Sequence, residues 1–528
     1  MMQNSRFKLS ALAIATAMAC SSAAFATNGY FIHGLGTKAN GMGGVGIALP
    51  QDSIAAAVNP AGISWTGSRA DVGVSLFSPL RDASINAEGL DALNAGLPGS
   101  FSAPGADFGK DSGATAFLVP NAGFVMDMAG MTMGMAIYGN GGMNTRYNEN
   151  IYFNALGPAI GMTSTFGGPN GFAGALEAFG VPIGDPGVAC GGSVAGPSGV
   201  NGVLCTLGGD STTYNTLGVN LSQLVFAPTV SAKLGDDHSV GASMLVGYQR
   251  FRAYGMGLFK GFSSDPDHLT NQGDDDAWGA GVRLGWTGKV ADMLTVGATY
   301  SSKIYMQKFD KYKGLFAEDG GFDIPANYGL GISFKPADNL TFAFDVERIM
   351  YGDVASIANP GPTADQFVAG LVQTLSAGAM TCGGALTPLA GVSCKQLGND
   401  DGYGFGWDDQ TVYKLGAAYG YNDQWTFRAG FNYGESPIAS GENLFNVVAP
   451  GVVEKHATLG FTYSPDKSSE ISVAYMHAFR KDQSYNYTLD SNGDGVANDT
   501  IAAFGLQEFD TEIGMSQNSL EVSYGIKF

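Results

Sequence analysis

The stretch Ser519-Leu520-Glu521-Val522-Ser523-Tyr524-Gly525-Ile526-Lys527-Phe528 decides the fold by its alternation. Leu520, Val522, Tyr524, Ile526 and Phe528 are apolar, and the residues between them are small or polar. A side-chain period of two belongs to a β-strand with one apolar and one polar face. The pattern recurs upstream in Trp278–Trp286, Leu294–Tyr300, Tyr328–Phe334, Leu340–Val346, Tyr413–Tyr421, Trp425–Tyr433, Ala457–Tyr463 and Ile471–Phe479. In Trp278–Trp286 the apolar Ala280, Val282 and Leu284 alternate with Gly279, Gly281, Arg283 and Gly285, and a tryptophan stands at each end. An apolar outer band edged by aromatics, backed by a small or polar inner face, is what a strand needs between lipid and an enclosed lumen.

Weaker alternation at 70–79, 117–128, 132–147, 221–234 and 239–251 brings the total to about fourteen strands. Connections alternate in length. Short turns at Asp236-Asp237, Ala291-Asp292, Ala337–Asn339, Asn422-Asp423 and Asp466–Ser469 separate long excursions at 148–220, 252–275, 306–322, 352–407, 435–450 and 482–513. Short turns on one side and long loops on the other are the habit of membrane barrels. The predicted fold is therefore all-β, a transmembrane antiparallel β-barrel over 69–528.

Composition agrees. Of 528 residues, 79 are glycine and 11% aromatic, and only 14% are charged, against roughly 25% in soluble domains. The net charge of −20 makes nucleic acid a poor partner, since that binding depends on releasing counterions with Lys and Arg. Beyond the first 26 residues no apolar run is long enough for a membrane helix. Within those residues, Arg6 and Lys8, the apolar Leu9–Ala19 and the small-x-small Ala24-Phe25-Ala26 read as a secretory signal, with a mature chain expected from Thr27. Cys20 raises lipidation as the alternative, but Ala17 is smaller than such sites prefer. A last strand ending on Phe528 resembles the C-terminal signal of bacterial outer-membrane barrels. A multi-pass outer-membrane protein, in contact with its lipid and monomeric, is expected.

Residues 27–68 fit no barrel strand. They carry a glycine-rich run at 41–46, an alanine-rich Gln51–Val58 and a turn at Asn59-Pro60. A compact segment ahead of the first strand is expected to fold inside the barrel as a plug, or hatch. Thr27-Asn28-Gly29-Tyr30-Phe31-Ile32-His33-Gly34, Gly41-Met42-Gly43-Gly44-Val45-Gly46 and Asn59-Pro60-Ala61 resemble, in order and spacing, the start of FadL/TodX-type proteins. That resemblance implies passive transport of long-chain fatty acids or other hydrophobic compounds. Cargo would be captured on outer loops, bound at an internal apolar site and released sideways through the wall. It further implies a kinked third strand forming the opening, and an N-terminus close to the ligand.

Gly139-Asn140-Gly141-Gly142 follows only Thr132–Tyr138, too few residues to span a bilayer, so these glycines are expected to fall within the wall as a bend. They lie in the third strand. Tyr30 and Phe31 are candidates for lining the internal site, with plug packing as the alternative. Parity turns Arg283, Lys303, Lys414, Arg428 and His456 toward the lumen, where a cation meets a fatty acid carboxylate or an internal ion-pair network with Asp345, Glu347, Glu454 and Glu521. About fifteen buried methylenes at about 0.8 kcal/mol each outweigh the roughly 1.5–3 kcal/mol of a charged hydrogen bond, so the chain sets affinity and the cation orientation.

Four cysteines fall in two long loops, and the spacing favours pairing Cys190 with Cys205 and Cys382 with Cys394. Asp490, Asn492 and Asp494 copy the start of a calcium loop, but Ile501 replaces the bidentate acid at its twelfth position; no other cofactor is expected. No nucleophile elbow, zinc-helix or phosphate loop motif appears, so an enzyme is not expected. An outer-membrane lipase and an adhesin with partner-binding loops are the rivals from other classes.

Overall fold

The computed structural model describes residues 27–87, 106–128, 130–152, 155, 216–363, 366–367, 395–488 and 508–528. The expected signal, all four loop cysteines and the calcium-like Asp490, Asn492 and Asp494 lie outside them.

Fourteen strands form the wall: β1 Arg69–Ala87, β2 Phe117–Met128, β3 Met131–Asn144, β4 Gly218–Leu234, β5 His238–Tyr254, β6 Asp275–Ala291, β7 Leu294–Ser301, β8 Asn327–Ala337, β9 Leu340–Ile349, β10 Gln410–Gly420, β11 Trp425–Gly434, β12 Lys455–Tyr463, β13 Ser469–Thr488 and β14 Glu508–Lys527. Neighbours in sequence pair antiparallel throughout, and β14 pairs back onto β1 from Arg69–Lys527 to Asn86–Asp510, closing the barrel. Two short strands lie off this ring: Ala106–Asp111 beside β1, and Tyr305–Met306 beside β6. Closure leaves no open sheet edge to lipid along the seam it forms, which hydrocarbon demands because it offers backbone groups no partner.

The alternation works inside out relative to a soluble domain. Leu520, Val522, Tyr524 and Ile526 are exposed while Ser519 and Glu521 are buried. Val72, Val74 and Leu76 of β1 continue the same outer band. Two boundaries differ from the sequence expectation. β13 and β14 pair on through Asp482–Thr488 and Glu508–Ile513, a region expected as loop, because the strands continue where apolar alternation stops. β1 likewise runs beyond residue 79 to Ala87.

Residues 27–66 are hydrogen-bonded to residues of several barrel strands. Their elements are the helix α1 Thr37–Asn40 and 3-10 turns at Ser53–Ala57 and Pro60–Trp65. Asn59 caps the last turn, its side chain accepting from Ala61 N at 3.1 Å, with Pro60 in the first turn where its missing N–H is harmless. The segment is tied to strands all round the wall. Gly43 N donates to Thr458 Oγ1 at 2.7 Å, Gly46 N and Ile47 N to Asp345 Oδ2 at 2.7 and 3.0 Å, and Asn59 Nδ2 to Thr287 Oγ1 at 3.1 Å. Gly43 has φ 72°, and a Cβ there would stand 2.6 Å from the Phe431 carbonyl oxygen. Only glycine lets the backbone turn that closely against the wall.

Candidate functional site: a lumen with a window in its wall

The glycine cluster marks where β3 leaves the wall. Met131–Ile137 alternates between exposed and covered, whereas every residue from Tyr138 to Asn144 is buried. Pairing of β3 with β4 shifts register between Gly139 and Gly141, leaving Asn140 as an extra residue. Such a bulge bends a strand. On its other side the β2–β3 ladder stops at Asn121–Tyr138, and Phe117–Pro120 pair only with β1. Pro120, which lacks an N–H, sits on the free edge.

The bent edge of β3 finds its hydrogen bonds inside. Gly142 N donates to Tyr30 O at 3.0 Å and Ile32 N to Asn140 O at 3.3 Å, with Phe31 bridged to Gly141. Above the break, Gly113 N donates to Arg146 O at 2.8 Å and Arg146 N to Ser112 Oγ at 2.9 Å. The result is a bounded break in the β2–β3 ladder, a window in its hydrogen bonding.

Two cavities adjoin it. One has an apolar lining that includes Tyr30, Met143, Phe251, Phe322 and Trp407. The other lies against the window and is lined by Ile32, Leu35, Val119, Pro120, Tyr138 and Glu521 among others.

Tyr30 thus lines the apolar cavity, packed against Phe322, Tyr351 and Trp407 with centroids 6.1, 5.4 and 5.9 Å away. Phe31 packs edge-on to Tyr351 at 5.8 Å and holds the window strand through backbone. The candidate cations separate. Lys414 pairs with Glu347 at 2.7 Å in the buried wall. Arg428 donates to Gln51 Oε1 of the N-terminal segment at 3.1 Å and to Thr462 Oγ1 at 2.7 Å. Arg283 is buried and reaches the Tyr138 hydroxyl at 3.4 Å. Lys303 is not on a strand: it follows the end of β7 and pairs with Asp323 at 3.5 Å. His456 stacks on His33 of the N-terminal segment, ring centroids 6.0 Å apart. Burial, with His456 and Lys414 nearby, lowers His33 to about 3, so its ring is neutral. Of the acids expected in the network, Asp345 binds plug backbone and Glu454 meets Lys481 at 3.4 Å.

Sequence reading missed two buried groups. Arg81 lies on the part of β1 beyond residue 79 and donates to Asn144 O at 2.7 Å; its Nε and Nη2 have no partner among the described residues. Lys38 and Arg69 converge on Glu470, joining α1 to β13 and β1. Among the described residues no three His, Cys, Asp or Glu side chains gather as a metal site.

The model of the outer membrane transport protein family OMPP1/FadL/TodX matches residues 178–507. The chain belongs to this FadL/TodX family. The Pseudomonas putida toluene transporter TodX shares 17% identity, with 94% of this chain and 99% of TodX covered at a TM-score of 0.54. A Pseudomonas aeruginosa FadL homologue shares 15%, with 95% and 100% covered at 0.57. At such identities these solved structures establish the barrel fold alone. A comparison with curated proteins gives no match. Membership makes the protein an outer-membrane transporter of hydrophobic compounds.

Proposed function

We propose that this FadL/TodX protein takes up hydrophobic small molecules passively, binding them in the apolar cavity at Tyr30 and releasing them sideways between β2 and β3. Residues 27–66 act as the plug that denies a straight path through the lumen, so cargo turns toward the wall. The carrying observation is the departure of β3 from the ladder at Tyr138, with its edge bonded to Tyr30 and Ile32 rather than to β2. A strand edge withdrawn from lipid and satisfied internally keeps an opening at low cost, since each unmet backbone group in hydrocarbon costs several kcal/mol. Apolar walls attract cargo through burial, and its concentration gradient supplies direction. Long-chain fatty acids and aromatic hydrocarbons both suit such a route; toluene is the cargo named for TodX.

The test fills the window from β2, which does not supply the backbone bonds to Tyr30 and Ile32. Val119→Trp places an indole in the compartment beside β3. Uptake of labelled hydrophobic compounds by expressing cells should fall about tenfold, a loss of about 1.4 kcal/mol in effective passage. Insertion is checked by heat-modifiable mobility on gels. Unchanged uptake by a correctly inserted variant would refute lateral release.

A further inference from the structure

Glu521 is unlike the other acids of the lumen. It is buried on β14, directly across from Ser75 of β1, and it lines the compartment beside the window. Thr37 Oγ1 and Asn121 Nδ2 donate to its Oε1 at 2.8 and 2.7 Å, and Asn40 Nδ2 donates to its Oε2. Every partner is neutral. Two amides and a hydroxyl supply donors to both oxygens, the arrangement that suits an ionised carboxylate, whereas a protonated acid needs an acceptor for its own hydrogen.

None of the described cations of the lumen lines this compartment. Lys38 and Arg69 bind Glu470, and Lys414 binds Glu347. Arg428 is held by Gln51 and Thr462. Arg283 donates to the Tyr138 hydroxyl and does not line the compartment. Arg81 lies six positions beyond Ser75 on β1, roughly 20 Å away at the rise of an extended strand. The compartment is therefore a small, weakly polar space holding one carboxyl group and no cation among the described residues that line it.

We propose that Glu521 sets charge selectivity at the window, passing uncharged hydrophobic compounds and holding back those that carry a carboxylate. This rests on the lateral route proposed above. An apolar tail gains the same burial whatever its head group, so the head group decides between cargoes of equal length. A carboxylate entering the compartment leaves water, finds no cation and faces a like charge across a poorly screening medium. An alcohol or a plain hydrocarbon meets none of these penalties. The negative charge thus acts against one class of cargo rather than in favour of another.

Labelled dodecanol and labelled dodecanoate share a chain and differ in charge, so their rates isolate the head group. Uptake is measured at pH 7.5 in an outer-membrane expression host lacking its own hydrophobic-compound channels, as the rate above that of the empty host. The wild-type protein should take up dodecanol at least roughly tenfold faster than dodecanoate. Glu521→Gln should bring the two rates within about threefold by raising dodecanoate relative to dodecanol. A role confined to anchoring α1 would lower both rates together and leave their ratio alone. Equal wild-type rates overturn the proposal, as does an unchanged ratio in a correctly inserted Glu521→Gln barrel. Should that variant fail to insert, Ser75→Lys sets an ammonium across from Glu521 and should narrow the ratio in the same way; an unchanged ratio there also overturns it. If the wild-type protein raises neither rate above the empty host, the uptake function itself falls, a result separate from any statement about Glu521.

Discussion

Two seams of one barrel are built to opposite ends. Where β14 meets β1, pairing runs unbroken from Arg69–Lys527 to Asn86–Asp510. Where β2 meets β3, it runs from Met128–Met131 only to Asn121–Tyr138, and β3 then turns into the lumen. The first seam spends all its backbone groups on the neighbouring strand. The second spends its upper groups on Tyr30 and Ile32. A barrel wall can therefore open without leaving polar backbone in lipid, provided that an interior segment replaces the missing neighbour.

The strongest way to break this contrast is to deny β3 its interior partner. A Cβ at Gly141 would lie 2.1 Å from Tyr30 O, so Gly141→Val cannot keep the contact. Losing the two hydrogen bonds and leaving their groups buried should cost about 3–5 kcal/mol, read as a lower melting temperature in detergent, together with a loss of uptake. At the closed seam, Val74→Ala on the lipid face should cost under about 1 kcal/mol. Equal effects at the two sites would mean that the bent edge does not depend on the plug segment.

A second contrast sets the inside of the regular wall against its outside. Lys414→Met strips the part-buried Glu347 of its ion pair and should destabilise by about 2 kcal/mol in the same melt. Arg250→Ala removes a half-exposed pair with Asp276 and should cost about 0.5 kcal/mol. A small effect at Lys414 would show that the lumen is wet enough to screen Glu347.

The smallest effect concerns the loop above the lumen. Burial, with a further push from Asp408 against the hydrogen bond from Gly361, raises the Glu442 carboxyl above its ordinary 4.5. Its folded value exceeds its unfolded one, so the stability it contributes is full below about pH 4.5 and is lost as pH rises through the folded value. Protease cleavage within 435–450 should be slower at pH 5 than at 7.5 relative to a control substrate, and Glu442→Gln should flatten the difference.

The closed seam was legible because alternation is local: each residue of Ser519–Phe528 declares its face by parity. The bend of β3 was partly legible, since Thr132–Tyr138 is too short to span before the glycines begin. Its partner was not, because Tyr30–Ile32 lies over a hundred residues away and pairing through backbone leaves no mark on side chains. Lys303 shows where parity stops working: β7 ends at Ser301, and beyond a strand the period of two assigns no face. Arg81 escaped because apolar alternation fades before the strand does. Parity placed Glu521 among the acids of an internal ion-pair network, yet it meets no cation in the described bonds. That its partners would all be neutral depends on Thr37, Asn40 and Asn121, which the fold brings from three other places.

The attachments of residues 27–66 also impose an order on assembly. This segment precedes every strand, yet its anchors include Asp345, Thr458, Glu470 and Glu521, the last two on the final hairpin. The segment must wait unseated until the closing strand arrives. Contacts of such long sequence separation form late because their loop-closure entropy is unmet until the rest has folded. An incompletely built barrel thus holds no settled plug, and seating of the N-terminal segment reports that the circle has been completed.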